Sequence, residues 1–168
     1  GINFNITINA LLENNINKII IIYPNSDDGS EEIINVIEKL EQYNNKIKTF
    51  KSLPFLTYLS LIKHSSFMIG NSSGAIIEAP VLGTPVINIG TRQDGRERAP
   101  AIIDVNYDKN EILKAIKKAL SDEDFKDMVN KKISPYNPYN DGKAAKRIVD
   151  VLENLKIDSK LLNKRLTY

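Results

Sequence analysis

The sequence predicts a parallel three-layer α/β sandwich, on three observations. Short runs of Ile and Val, such as Ile19-Ile20-Ile21-Ile22 and Val86-Ile87, have strand length and are apolar at successive positions, the pattern of strands buried on both faces. The segments between them carry apolar residues at helical spacing. The connections are a few residues long and marked by Gly, Pro and Asn. Strands that alternate with helices through short connections run parallel, with helices on the two faces of the sheet.

Residues 3–15 open the chain with Phe4, Ile6, Ile8, Leu11 and Leu12, compatible with an amphipathic helix. Lys18 to Tyr23 is the first strand, its four isoleucines read as buried on both faces. Asp28 to Gln42 is a helix with Ile33, Ile34, Ile37 and Leu40 on one side and Ser30 as its cap. Lys46 to Phe50 is a second strand. Pro54 suits the start of the helix that runs from Phe55 to His64. Phe67-Met68-Ile69 is a third strand, broken by Gly70-Asn71-Ser72-Ser73-Gly74 before a helix over residues 75–82. Gly83-Thr84-Pro85 ends that helix, with glycine past its last turn and proline beyond. Val86 to Ile89 is the next strand, followed by a polar loop, Gly90 to Arg96, and a short strand from Ala101 to Val105. Helices follow at Lys109 to Leu120, Glu123 to Lys131 and Lys143 to about Leu155.

With 168 residues, 42% apolar and 26% charged, the chain is an ordinary single globular domain in size and composition. A formal net charge of +2, with no basic face interleaved with aromatics, gives no sign of a nucleic-acid partner. The chain has no cysteine, so neither a disulfide framework nor a thiolate metal site is expected. Its apolar runs are too short to cross a bilayer and no signal-peptide pattern opens it; a cytoplasmic protein with no membrane partner is the simplest expectation.

In a parallel sheet, ligands bind outside the carboxyl ends of the strands. The turn from Gly70 to Gly74 lies at such an end and brings backbone N–H groups and the hydroxyls of Ser72 and Ser73 to the start of a helix, donors suited to a phosphate or diphosphate. Glu78 follows about one helical turn deeper, where a carboxylate can accept from the vicinal hydroxyls of a ribose. Arg92, in the loop after the next strand, suits the same anion through its bidentate guanidinium. Each feature also has a plainer reading. Ser-Ser-Gly before a helix is a common cap that binds nothing, and a lone helix glutamate is usually solvated. It is their arrival at consecutive strand ends that points to a nucleotide. His64, the one histidine, falls near a helix C-terminus, where a cation complements the helix dipole, and is read as structural.

These residues also carry a resemblance. Ile69-Gly70-Asn71-Ser72-Ser73-Gly74, continuing through Glu78 to Gly90-Thr91-Arg92-Gln93-Asp94-Gly95-Arg96, resembles the nucleotide-binding segment of UDP-N-acetylglucosamine 2-epimerases. Two further segments resemble the same family in the same order: Tyr23-Pro24-Asn25-Ser26-Asp27-Asp28-Gly29-Ser30 and Asn137-Pro138-Tyr139-Asn140-Asp141-Gly142-Lys143-Ala144. The match runs from about Lys18 to Val151. Asn71-Ser72-Ser73-Gly74 stands where the non-hydrolysing branch reads Asp-Ser-Gly-Gly, which favours the hydrolysing branch that makes N-acetylmannosamine for sialic acid synthesis. Asn140 stands where the family has glycine, and asparagine is the residue that best tolerates a left-handed backbone in its place.

The resemblance implies a Rossmann-like lobe, the second of the two that face each other in a GT-B fold, over residues 1–157, with a tail over 158–168. It implies UDP or a UDP-N-acetylhexosamine as ligand, with Ser72, Ser73 and Arg92 at the diphosphate, Glu78 at the ribose, and Leu53, Phe55 and Tyr58 near the uracil. Asn25 falls near the nucleotide or sugar. Ordinary helix packing is an equal reading of the two aromatics, and an Asx turn an equal one of Asn25. The family reaction eliminates UDP across C1–C2 and hydrates the resulting glucal; it uses no cofactor and no metal. The acid and base that act on the sugar belong to the first lobe, so no catalytic residue is expected here. The chain begins at Gly1 without Met and reads as a C-terminal half, inactive alone, of a protein that assembles into homo-oligomers. The sugar substituents, and UDP against GDP, stay open. The rival readings are the donor lobe of a GT-B glycosyltransferase and a non-catalytic sugar-nucleotide module.

Overall fold

The structure, a computed structural model, describes residues 2–14, 16–24, 30–158 and 161. The chain divides into two compact units, Gly1–Asn137 and Pro138–Tyr168.

In the first unit, α1 (Ile2–Glu13) precedes β1 (Ile19–Ile22), α2 (Ser30–Tyr43), β2 (Ile47–Phe50), α3 (Phe55–His64) and β3 (Met68–Gly70). Then come α4 (Ser73–Ile77), α5 (Ala79–Leu82), β4 (Val86–Ile89), β5 (Ile102–Val105), α6 (Lys109–Ser121) and α7 (Glu123–Asn130). All strand pairings are parallel, as expected. β1 pairs with β2, Ile19 opposite Ile47. β4 lies between β3 and β5, with Asn88 opposite Gly70 on one side and Asp104 on the other.

Two apolar clusters sit on the two sides of β4. Ile87 and Ile89 join a cluster built from α1, β1, α2, β2, α6 and α7, with Ile8, Ile19, Ile21, Ile37, Ile47, Ile112, Ile116 and Phe125 buried in it. Val86 joins Ile62, Ala75 and Ala79 of α3, α4 and α5, with Tyr58 and Met68 packed against them. The alternation along one strand, Val86 to one cluster and Ile87 to the other, is the period of two that makes β4 a strand covered on both faces. Thr84, 1% exposed, donates its hydroxyl to the Ile62 carbonyl at 2.8 Å, so a buried hydroxyl finds its partner at the end of α3, where the same carbonyl also accepts from Ser65.

Two expectations from sequence need correction. The isoleucines of β1 are not covered on both faces: Ile19 and Ile21 are buried, but Ile20 is 42% and Ile22 39% exposed. The reason is where α3 goes. It packs against α5, and the cluster it joins contains no residue of β1 or β2. The single helix expected over residues 75–82 begins earlier, at Ser73, and is divided at Glu78. Pro80, with no N–H to give and a ring that crowds the preceding turn, starts a new helix instead of continuing the old one. Gly83 ends α5 in the left-handed region at φ 79°, as its position after the last apolar turn predicts.

The second unit carries α8 (Ala144–Asn154). Asn140, in the turn before it, has φ 46°, the left-handed backbone for which asparagine stands in for glycine. Asp141 accepts from the Lys143 N–H and pairs with Arg147, and the Arg147 guanidinium lies 3.9 Å from the Tyr139 ring centroid. Among the described residues no helix is long and apolar enough to cross a membrane.

Candidate nucleotide site

The site is assembled at the carboxyl ends of β3 and β4. Ser72 leaves β3 in an extended conformation, φ −78° and ψ 145°, and caps α4: its Oγ accepts from the Gly74 N–H at 3.3 Å. The capping role expected of Ser-Ser-Gly is therefore real, and it leaves the hydroxyl proton of Ser72 to donate. Ser73, like Ser72, is exposed, while Gly74, Ala75 and Ile76 are buried behind them. Because α4 is only five residues long, the donors here are individual hydroxyls and N–H groups rather than the dipole of a long helix.

Glu78 sits at the junction of α4 and α5, with its N–H donating to the Gly74 carbonyl at 3.0 Å. Its Oε2 is buried and makes no hydrogen bond. A carboxylate oxygen removed from water without a donor is costly, and such groups in folded proteins generally have a reason. Beside it is Tyr58, half-buried in the cluster of α3, α4 and α5. The Tyr58 hydroxyl and Glu78 Oε2 both converge on Gly74, so closely that a Cβ there would overlap both. Glycine at this position is thus what allows these two groups to approach. Burial, and secondarily the Glu78 carboxylate, push the Tyr58 phenol above its ordinary pKa.

Arg92 is exposed in the loop that follows β4. Its neighbour Gln93 turns inward, 5% exposed, and donates its Nε2 to the Asn71 carbonyl at 2.8 Å. The two loops carrying the expected anion ligands are therefore joined by a hydrogen bond. Leu53 is half-buried in the turn before α3, and Phe55 is 65% exposed at that helix's first turn. Tyr58, one turn on, is the member of that group brought to Glu78. Asn25 lies outside the described residues. His64 is exposed in the last turn of α3, next to Lys63.

Beneath the loop lies a polar framework that the sequence reading missed. Asn88, 0% exposed in the middle of an apolar strand, donates its Nδ2 to Asp104 Oδ1 at 2.6 Å. Asp104 also takes the Arg98 Nε, at 3.2 and 3.0 Å. Arg98 Nη1 then donates to the backbone carbonyls of Gln93 and Arg96, each at 2.9 Å. Arg98 is thus spent on the scaffold. The legible signal was Asn88: a polar residue inside Val-Ile-Asn-Ile needs a partner. Gln93, one more polar residue of a polar loop, carried none. A surface cavity of about 380 Å³ lined by Ser65, Pro85, Lys126 and Asn130 lies at the amino edge of the sheet and contains none of these residues.

Comparison with known proteins follows the same lines. A sequence model of the UDP-N-acetylglucosamine 2-epimerase family matches residues 2–153. A UDP-N-acetylglucosamine 2-epimerase of Neisseria meningitidis serogroup B is 44% identical over 104 residues, 62% of this chain and 27% of that protein. A hydrolysing UDP-N,N'-diacetylbacillosamine 2-epimerase of Legionella pneumophila is 34% identical over 167 residues, 99% of this chain and 42% of that protein. The crystal structure of the N. meningitidis epimerase bound to UDP-GlcNAc superposes with a TM-score of 0.65 at 23% identity, covering 91% of this chain and 41% of the other. The S. aureus MnaA–UDP complex gives 0.67 at 22%, covering 90% and 40%. The chain therefore spans less than half the length of these relatives and shares the fold of part of the GT-B-like epimerases. It belongs to the UDP-N-acetylglucosamine 2-epimerase family.

Proposed function

We propose that this chain is the nucleotide-binding lobe of a hydrolysing 2-epimerase acting on a UDP-N-acetylhexosamine. The observation that carries the reading is the buried, unpartnered Oε2 of Glu78, one helical turn behind two exposed serine hydroxyls. An acceptor of that kind suits ribose hydroxyls, which donate, while the serines and the Arg92 loop suit the diphosphate. The names of the relatives support UDP as the nucleotide, and the match to a diacetylbacillosamine epimerase over 99% of the chain makes a diacetamido sugar the specific alternative to N-acetylglucosamine.

In the proposed reaction a base removes the C2 proton of the sugar. The C1–O bond breaks, its electron pair leaves with UDP, and a 2-acetamidoglucal forms; water then adds across the double bond to release N-acetylmannosamine. Residues of this chain act on the leaving group. Ser72, Ser73 and Arg92 stabilise the charge that builds on the diphosphate, and Glu78 fixes the nucleotide so that the C1–O bond is held in place. The C2 base is assigned to the part of the relatives' length that this chain does not span. Isothermal titration with UDP tests the lobe assignment. Saturable binding weakened about ten-fold or more by both Ser73→Ala and Glu78→Ala is expected. Wild-type binding unaffected by either variant would overturn it, as would formation of N-acetylmannosamine by the isolated chain for the placement of the base.

A further inference from the structure

The serine turn is held from outside itself. α4, which it opens, has five residues, too few for a helix to be stable on its own propensity. Gly70, at the end of β3, has φ 147°, a backbone that side-chain-bearing residues rarely adopt, and the Asn71 carbonyl that follows it accepts the Gln93 amide at 2.8 Å. Gln93 is itself fixed at both ends. Its backbone carbonyl accepts from Arg98, Arg98 is bound by Asp104, and Asp104 is bound by the fully buried Asn88 of β4. An unbroken line of hydrogen bonds thus runs from the centre of the sheet to the backbone just before Ser72, and it passes through the residue next to Arg92.

A side chain that holds the backbone carbonyl just before Ser72 sets where the ligands of a nucleotide stand. We propose that Gln93 is a positioning residue: it latches the arginine loop to the serine turn, so that Ser72, Ser73 and Arg92 address one diphosphate at a fixed spacing. The proposal rests on the nucleotide reading of this site. A bidentate or multi-point anion site depends on the separation of its donors, and a shift of about 1 Å in such an arrangement is enough to lose most of its advantage. Gln93 is 5% exposed and its Nε2 donates to the backbone of the serine turn, so the effect assigned to it is on the placement of that turn, at the phosphate end.

The test replaces Gln93 by Met, which has similar length and no amide, and separately by Glu, which retains the shape and cannot donate when ionised. UDP and uridine are titrated into each variant and the wild-type chain by NMR, with a thermal melt of each protein alone. The expected result is a loss of about ten-fold in UDP affinity in both variants, with uridine affinity within about two-fold of wild type. A purely structural role would weaken both ligands together or move only the melting temperature, and either result overturns the proposal. So does UDP affinity that stays within about two-fold of wild type. Ser73→Ala separates the two levels. UDP binding that Ser73→Ala weakens and Gln93→Met does not removes the latch and leaves the nucleotide reading standing; a wild-type chain that binds neither UDP nor uridine removes both.

Discussion

β1 and β4 are both four-residue parallel strands, Ile-Ile-Ile-Ile and Val-Ile-Asn-Ile, yet the all-isoleucine strand is half exposed and the strand containing asparagine is buried throughout. Hydrophobicity of the strand does not account for this. β4 lies between two strands, with α6 on one face and α4 on the other, whereas β1 has cover on the face of Ile19 and Ile21 only. Burial follows from which connecting helices cross a strand. The same contrast separates scaffold from site. Around β4, complete cover holds Asn88 away from water, and its amide anchors a polar chain that runs outward through the half-exposed Asp104 to Arg98 and sets the loop. Around β1 and β2 the polar contacts are at the rim, as where the Thr49 N–H donates to Glu41 at 3.2 Å.

The largest expected effect sharpens this contrast directly. Ile87→Ala, at a residue 0% exposed, should destabilise the fold by about 2–5 kcal/mol in urea unfolding. The same change at Ile20, 42% exposed, should cost less than about 1 kcal/mol. Equal losses would mean that β1 is covered on both faces after all. Next in size is Asp104→Ala, which leaves the buried Asn88 amide without its 2.6 Å acceptor and Arg98 without its carboxylate. A loss of about 1–3 kcal/mol is expected, toward the lower end because Asp104 is itself half exposed and water can replace part of what it did. A change within about 0.5 kcal/mol would show that the framework is ornamental to stability.

The smallest effect belongs to the rim. A hydrogen bond from the Thr49 hydroxyl, opposed by some desolvation and aided by the Thr49 N–H and Lys48, holds the Glu41 carboxyl below its ordinary pKa. A depressed carboxyl stabilises the fold above its unfolded-state pKa, and that contribution is lost as pH falls through the lower, folded value. The Thr49 amide resonance should therefore titrate with a midpoint below the ordinary glutamate range, and Glu41→Gln should abolish the transition. A midpoint at the ordinary value would mean that the pairing is not populated in solution.

Much of this was legible beforehand, for identifiable reasons. Parallel strands separated by helices follow from periods of two and 3.6 and from short connections, which are local properties. The ends of α5 and α3 follow from Gly83 and Pro54, because backbone restrictions travel with the residue. The serine turn, Glu78 and the arginine loop could be placed on one edge because parallel topology carries every strand's end to the same side. The division of the helix at Glu78 is also legible in Pro80, whose missing N–H starts a helix more readily than it continues one.

What the sequence determined by itself, then, is the order and type of the elements and the edge at which the candidate ligands gather, since these depend on residues close together in the chain. Tertiary structure decided three things: that β1 keeps one face open, that Tyr58 meets Glu78 across Gly74, and that Gln93 reaches back to Asn71. Each depends on how far one helix or loop leans toward another that is distant in sequence. That is settled by packing and by the need of buried polar groups for partners, and neither leaves a periodic trace in the chain.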